Sequence, residues 1–263
     1  MNKQENRMKN VLVTGATSGI GHELSKIFAQ EGFNLVLVAR NTEQLEILAK
    51  ELSTTYSIQA DFVAKDLSQP AAPTEIMAEL QRKAINIDIL VNNAGFIEYG
   101  AFTETNLEKE LQMIQVNLVS LTHLTKLLLP SMVKRRNGKI LNVASIGAYV
   151  PGPFNAVYCA TKAYVLSFSE AIAEELKNTK VTVTALCPGA TKTEFASKAK
   201  IEDVKLFQGS VMQAKTVAEI AFKALMEGKR IVVPGFINKL AVFCINFIPR
   251  KIVAMISKTM MGR

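Results

Sequence analysis

The chain has 263 residues, 49% of them apolar and 21% charged, proportions that exclude a disordered segment or a coiled coil. Of its net charge of +8, seven positive charges (Lys229, Arg230, Lys239, Arg250, Lys251, Lys258 and Arg263) fall after Gly228 with no acidic residue among them, which leaves the rest at +1. A uniformly basic nucleic-acid binder is therefore excluded, and the basicity belongs to one tail.

In chain order, residues 1–10 are polar and lack the apolar core of a signal peptide, which predicts a cytoplasmic protein. An apolar strand over 11–13 meets a glycine turn and then a helix with Ile20, Leu24, Ile27 and Phe28 on one face, ending near Gly32. A second strand over 35–38 precedes a helix capped by Thr42, with Leu45, Leu48 and Leu52 inward. The third strand is expected over 58–64, with Pro70 and Pro73 opening the next helix. A fourth strand over 87–91 is followed by a long helix over 107–129, expected to stop at Pro130. The fifth strand, 139–144, leads into a loop with Gly147, Pro151, Gly152 and Pro153, then a helix over 155–177. A sixth strand over 181–186 ends at Pro188-Gly189. Residues 190–214 show no clear strand pattern, and a helix over 216–227 and a short seventh strand over 231–233 follow.

Unbroken apolar strands separated by helices imply crossovers onto a sheet buried on both faces. The fold class is α/β: a three-layer, doubly wound Rossmann-type fold with a mostly parallel seven-stranded sheet. It forms one dinucleotide-binding catalytic domain over 1–233, with 234–263 as an apolar, basic C-terminal extension. Cys159, Cys187, Cys244, His22 and His123 have no metal-ligand spacing, so no metal site is expected, and an odd cysteine count suits a reducing compartment.

Thr14-Gly15-Ala16-Thr17-Ser18-Gly19-Ile20-Gly21 sits where the first strand becomes the first helix. Glycines there permit a tight turn and let the backbone approach a phosphate at the helix N-terminus. Tyr158 and Lys162 stand four residues apart, on one helix face, and the lysine charge is expected to lower the phenol toward neutral pH. Such a group can move a proton in interconverting a carbonyl and an alcohol.

With these motifs in order, the chain resembles the short-chain dehydrogenase/reductase family. The glycine segment matches its Thr-Gly-x-x-x-Gly-x-Gly cofactor motif, and Asp66-Leu67 resembles its acidic position near the adenine. Asn92-Asn93-Ala94-Gly95 matches the motif after strand four, and Asn117 falls at its helical asparagine. Ser145, Tyr158 and Lys162 complete its catalytic set, and Pro188, Gly189, Thr191 and Thr193 resemble its nicotinamide-contacting segment. The resemblance covers roughly residues 8–233.

It implies that Tyr158 protonates a carbonyl oxygen as hydride arrives, that Ser145 hydrogen-bonds that oxygen, and that Lys162 lowers the Tyr158 pKa and holds the nicotinamide ribose. Asn117 supports a water leading protons to Lys162. After the second strand the chain has Arg40 and no carboxylate, which favours NADPH/NADP+ over NADH, because an arginine accommodates a 2′-phosphate. The glycine loop itself, with Ala16, Thr17 and Ser18, brings no basic residue. Segment 190–214 corresponds to a mobile cover, with Phe195 and Phe207 as apolar walls or as core.

In the tail, residues 236–248 are apolar with one charge and too short to span a bilayer. Contact with a membrane surface, a subunit contact and an extra wall for an apolar pocket are the three readings. The expected activity is NADPH-dependent reduction of a small hydrophobic carbonyl compound (a long-chain aldehyde, 3-oxoacyl thioester or ketosteroid) by a homodimer or homotetramer that binds no nucleic acid. The alternative is a non-catalytic NADP(H)-binding regulatory or membrane-associated scaffold protein. His22 and His123 are expected to be structural or solvated. Cys159, adjacent to Tyr158, projects roughly a third of a turn away and need not share its site.

Overall fold

In the computed structural model the described residues are 9–199, 201–209 and 211–262. The expected N-terminal stretch before Lys9 and the side chain of Phe207 lie outside them. Seven strands form one sheet in the order β3-β2-β1-β4-β5-β6-β9, every neighbouring pair parallel. They are β1 (Asn10–Thr14), β2 (Asn34–Ala39), β3 (Ala60–Ala64), β4 (Ile89–Asn92), β5 (Gly138–Val143), β6 (Val181–Leu186) and β9 (Ile231–Val232). Two-residue strands β7 (Thr191–Lys192) and β8 (Met212–Gln213) pair with each other outside this sheet.

The sheet is buried on both faces, which is why its strands read as continuous apolar runs. Val11, Val13, Leu35 and Leu37 pack on one side with Leu24 and Phe28 of α1 (Gly19–Gln30), Leu45 and Leu52 of α2 (Thr42–Tyr56), and Ala221 and Leu225 of α9 (Ala214–Met226). Leu12, Val36, Val38 and Leu90 point to the other side. There they meet Ile76 and Leu80 of α3 (Ala72–Arg82), Leu124 and Met132 of α5 (Leu121–Arg135), and Ile172 of α6 (Ala156–Glu175). Between the sheet and α5–α6, Asn92 Nδ2 donates to Thr125 Oγ1 at 3.0 Å and Asn142 Oδ1 at 2.9 Å, and Asn142 Nδ2 donates to Ser169 Oγ at 2.9 Å.

The structure departs from or adds to several expectations. Asn41, not Thr42, caps α2, its side chain accepting from Gln44 N at 3.0 Å. Pro130 does not stop the long helix, which continues to Arg135. Pro130 is exposed, so solvent can take the carbonyl it frees while Leu128 and Met132 keep the inward face in the core. Upstream of α5 lie α4 (Leu107–Ile114) and a π-helical segment, Gln115–Ser120. Segment 190–214 holds β7 and β8 with two short helices, α7 (Glu194–Lys198) and α8 (Lys205–Gln208). The tail folds as α10 (Phe236–Ile245) and α11 (Arg250–Met261). The run Leu107–Arg135 is long and apolar enough to cross a membrane, but Leu121, Leu124, Leu128 and Met132 bury it against the sheet and its neighbours.

Because β1 lies between β2 and β4, the chain winds in opposite directions from it. The crevice beyond the carboxyl ends of β1 and β4 is where such sheets bind ligands.

Candidate active site

The turn after β1 is fixed by its neighbour across that crevice. Thr14 Oγ1 accepts from the amides of Asn93 and Ala94, both at 3.0 Å, and donates to Val91 O at 3.2 Å. Asn93 Nδ2 in turn donates to Thr14 O at 2.9 Å and Gly15 O at 3.2 Å. Gly15 and Gly19 have φ of 65° and 55°, the left-handed region that favours glycine. A Cβ on Gly21 would stand 2.3 Å from both Gly15 O and Asn93 Nδ2, so only glycine allows α1 to start this close to the turn. Thr17, Ser18 and Ile20 border it half-buried, and Ser18 leads α1 without a side-chain cap, leaving the first amides of the helix available to a phosphate. The turn therefore fits a dinucleotide: it is narrow, glycine-lined and held open by bonds that use none of those amides.

Arg40 lies just past β2, exposed and without an ion pair among the described residues. Asp66 follows β3 and accepts from Ser68 N at 2.9 Å, while the carbonyl of the buried Leu67 accepts from Ser120 Oγ at 2.7 Å. Both positions edge the same crevice, since β2 and β3 run parallel to β1.

Ser145, Tyr158, Lys162 and Asn117 converge beyond β4 and β5. Ser145 follows β5 and caps a 3₁₀ turn, Ile146–Tyr149, its Oγ accepting from Gly147 N at 3.0 Å. Tyr158 and Lys162 occupy the first turns of α6. Burial pushes the Tyr158 hydroxyl well above the ordinary tyrosine range, with a hydrogen bond to Ser145 opposing it. Lys162 Nζ is 5.7 Å from the Tyr158 ring centroid and donates to Val143 O at 2.7 Å. Its own burial pushes it down to about 8. The expectation that the lysine lowers the phenol is thus corrected: burial is the dominant influence and raises it, Ser145 rather than Lys162 opposes the shift, and the Tyr158 hydroxyl is a proton donor.

Asn117 sits in the π-helical segment, and such widened turns recur at functional sites. Its Oδ1 accepts from Phe96 N at 3.1 Å, and its Nδ2 donates to Phe96 O at 3.0 Å and Thr161 Oγ1 at 3.3 Å. A Cβ on Gly95 would lie 3.0 Å from Asn117 Oδ1 and 3.6 Å from Lys162 Nζ, so the bare glycine leaves that approach open.

Pro188 and Gly189 follow β6, and Thr191 Oγ1 donates to Gly189 O at 2.9 Å. Thr193 caps α7, accepting from Phe195 N at 3.2 Å, and packs over Gly19, linking this segment to the glycine turn. Phe195 lies 5.9 Å from Tyr158, ring centroid to centroid. Around them, Ile97, Ile201, Val204 and the tail residue Met261 form a buried apolar cluster, with Tyr99 and Phe154 packed against it.

Several contributors were not picked out from sequence. Thr14 figured only as part of the motif, although its hydroxyl joins the two loops. Val143 and Met261, with Asn238 of α10 packed against Gly189, act through backbone position or long-range packing, which leaves no local signature. Cys159 packs its Sγ beside Gly147 and Gly152, next to the same Gly147 that Ser145 Oγ and the Tyr158 ring approach, and burial raises it to about 11. His22 is half-exposed beside Glu23 at 3.4 Å, and His123 is half-buried on α5.

Comparison with known proteins agrees with this fold. The family model for short chain dehydrogenases matches residues 9–203. Dehydrogenase/reductase SDR family member 7B of Rattus norvegicus is 32% identical over 252 residues, covering 91% of this chain and 78% of that one. A short-chain dehydrogenase from Sphingobium yanoikuyae, solved in complex with NADPH, matches with TM-score 0.81 and 29% identity over 92% of this chain and 97% of that one. A 7beta-hydroxysteroid dehydrogenase matches with TM-score 0.84 and 26% identity over 98% of this chain and 99% of that one.

Proposed function

Since the chain belongs to the short-chain dehydrogenase/reductase family, and so to oxidoreductases acting between alcohol and carbonyl groups, we propose that it reduces a hydrophobic ketone or aldehyde with NADPH. The observation that carries this reading is the convergence of Ser145, Tyr158 and Lys162 beyond β4 and β5, with Tyr158 packed against Phe195 and the apolar cluster of Ile97 and Met261.

The glycine turn, Asn93, Ala94 and Gly95 would hold the dinucleotide, with Asp66 and Leu67 toward its adenine and Arg40 on a 2′-phosphate. Lys162 and Tyr158 would take the nicotinamide ribose, flanked by Pro188, Gly189, Thr191 and Thr193. When bound, NADPH supplies the hydride. Tyr158 delivers a proton to the carbonyl oxygen, and Ser145 donates a hydrogen bond that fixes that oxygen as negative charge develops on it. Asn117 holds the Phe96 backbone in place and supports a water that returns protons toward Lys162. The apolar walls favour a substrate of low polarity, and the likeness to a hydroxysteroid dehydrogenase over 98% of the chain supports the steroid-like end of that range. Exposed Leu107 and Leu111 on α4 and Tyr164 on α6 favour a dimer or tetramer through these helices. The domain is residues 1–233 with 234–263 as its extension, acting in the cytoplasm.

NADPH consumption across aldehydes, 3-oxoacyl thioesters and ketosteroids tests the reading. Tyr158→Phe is expected to lose about 10²–10⁴-fold in turnover. Near-normal turnover by that variant, with NADPH still bound, would remove the tyrosine from its role.

A further inference from the structure

Helices α10 and α11 each have an inward and an outward stripe. In α10 the inward stripe is Asn238, Val242 and Ile245, with Asn238 against Gly189 and Val242 on the cluster containing Ala144 and Val165. Its outward stripe is Phe236, Ile237, Leu240 and Phe243, continued by Phe247, which is 74% exposed. In α11, Val253 and Met261 are buried two turns apart, while Ile252, Met255, Ile256 and Met260 face out. Both inward stripes rest on segments at the carboxyl edge of the sheet, so both outward stripes look away from it. Monomeric soluble proteins rarely leave so large an apolar surface bare.

The charges around this surface indicate what covers it. Lys239, Arg250, Lys251 and Lys258 are exposed, make no ion pair among the described residues, and have no acidic residue anywhere from 228 to 263. A second copy docking by the same patch would bring these cations against one another with nothing to neutralise them. An anionic bilayer offers both an apolar interior for the Phe, Ile and Met side chains and negative headgroups for the cations. At ten residues, α10 is too short to cross a bilayer and would lie in its interface.

We propose that α10 and α11 dock the protein on an anionic lipid surface. The same element reaches the candidate site. Met261 ends α11 inside the apolar cluster beside Tyr158 and Phe195, its carbonyl accepting from the Tyr99 hydroxyl. A cavity lined by Tyr149, Pro151, Ile245 and Arg250 lies between the α10–α11 hinge and the turn that Ser145 caps. Docking therefore sets the mouth of the site at the lipid boundary, where an apolar substrate concentrates. The docking does not depend on the reductase reading, because it is measured without turnover.

The test is flotation of the full chain with phosphatidylcholine vesicles, with or without about one-third phosphatidylglycerol. Co-flotation is expected with the anionic vesicles. It should weaken at least about tenfold in high salt, in Phe243→Ser/Phe247→Ser and in Arg250→Glu/Lys251→Glu, with unchanged melting temperatures. No flotation, or flotation unaffected by either double variant, overturns the proposal. So does a dimer that Phe243→Ser/Phe247→Ser dissociates in the absence of vesicle binding, which would assign the face to a second copy.

Discussion

Lys162 donates its ammonium to the carbonyl oxygen of Val143 at 2.7 Å, while the ring centroid of Tyr158 stands 5.7 Å away. The helix brings the two side chains to one face, but the lysine is tied to the end of β5, and burial holds it down to about 8. It is charged below that pH and neutral above it. If its charge supports Tyr158 and the ribose, kcat/KM for reduction falls as pH rises through about 8, and a profile flat to pH 10 would remove the lysine from the reaction. The same shift acts on folding. Between about 8 and the ordinary lysine value of 10.5 the unfolded chain binds more protons, so stability rises with pH across that window and the full cost is present below it. Lys162→Met relieves roughly 3 kcal/mol of buried charge and orphans the Val143 carbonyl at about 1–2 kcal/mol. A net gain of ~1–2 kcal/mol is expected at pH 7, shrinking toward pH 10, as thermal melts at several pH values would show.

Asn117 is expected to matter for geometry more than for binding. Its carboxamide satisfies both the N–H and the carbonyl of Phe96, at 3.1 and 3.0 Å, in the loop that follows Asn93-Ala94-Gly95. Asn117→Ala leaves both groups without their partner, at about 1–3 kcal/mol each when water cannot replace it. The melting temperature should drop, and kcat should fall by more than tenfold with a smaller change in KM for NADPH. An unchanged kcat would leave Asn117 a purely structural residue.

For Arg40 the expected signature is selectivity. The side chain is exposed, unpaired among the described residues and at the rim of the crevice, so its loss perturbs little else. A charge-assisted bond to a phosphate is worth about 1.5–3 kcal/mol. Arg40→Ala should therefore raise KM for NADPH roughly 10- to 100-fold and leave that for NADH nearly unchanged. An unaltered preference between the two would sink the phosphate assignment.

The strands were legible because each is an uninterrupted apolar run, a consequence of burial on both faces, and Val181–Leu186 coincides with its expected bounds. Gly15, Gly19 and Gly21 were legible because close approach and positive φ leave few other residues possible. The Tyr158 environment was not: an i,i+4 spacing brings two side chains to one face but does not reveal that Val143 O, 19 residues away in sequence, takes the lysine. Nor did any residue type announce the π-helical segment around Asn117. Pro130 misled because a proline's cost depends on whether its turn faces solvent. The tail's apolar and basic character could be read directly, but the seat of its inner face on Gly189 could not.

That seat gives the last prediction. A Cβ on Gly189 would lie 2.6, 2.7 and 2.8 Å from the Nδ2, Oδ1 and Cγ atoms of Asn238, the whole carboxamide of a side chain that also donates to Pro234 O at 2.8 Å. Gly189→Ala should push Asn238 aside, break that bond at the start of α10 and cost about 1–2 kcal/mol. Asn238→Ala removes the obstruction, so Gly189→Ala added to it should cost much less than in the wild type, a coupling of about 1 kcal/mol in a double-mutant cycle read by thermal melts. Because Gly189 lies in the segment proposed to contact the nicotinamide, the single variant should also raise KM for NADPH, and the double variant should recover part of that loss. Additive effects would mean that α10 does not bear on Gly189, leaving Met261 of α11 as the tail's contact with the site.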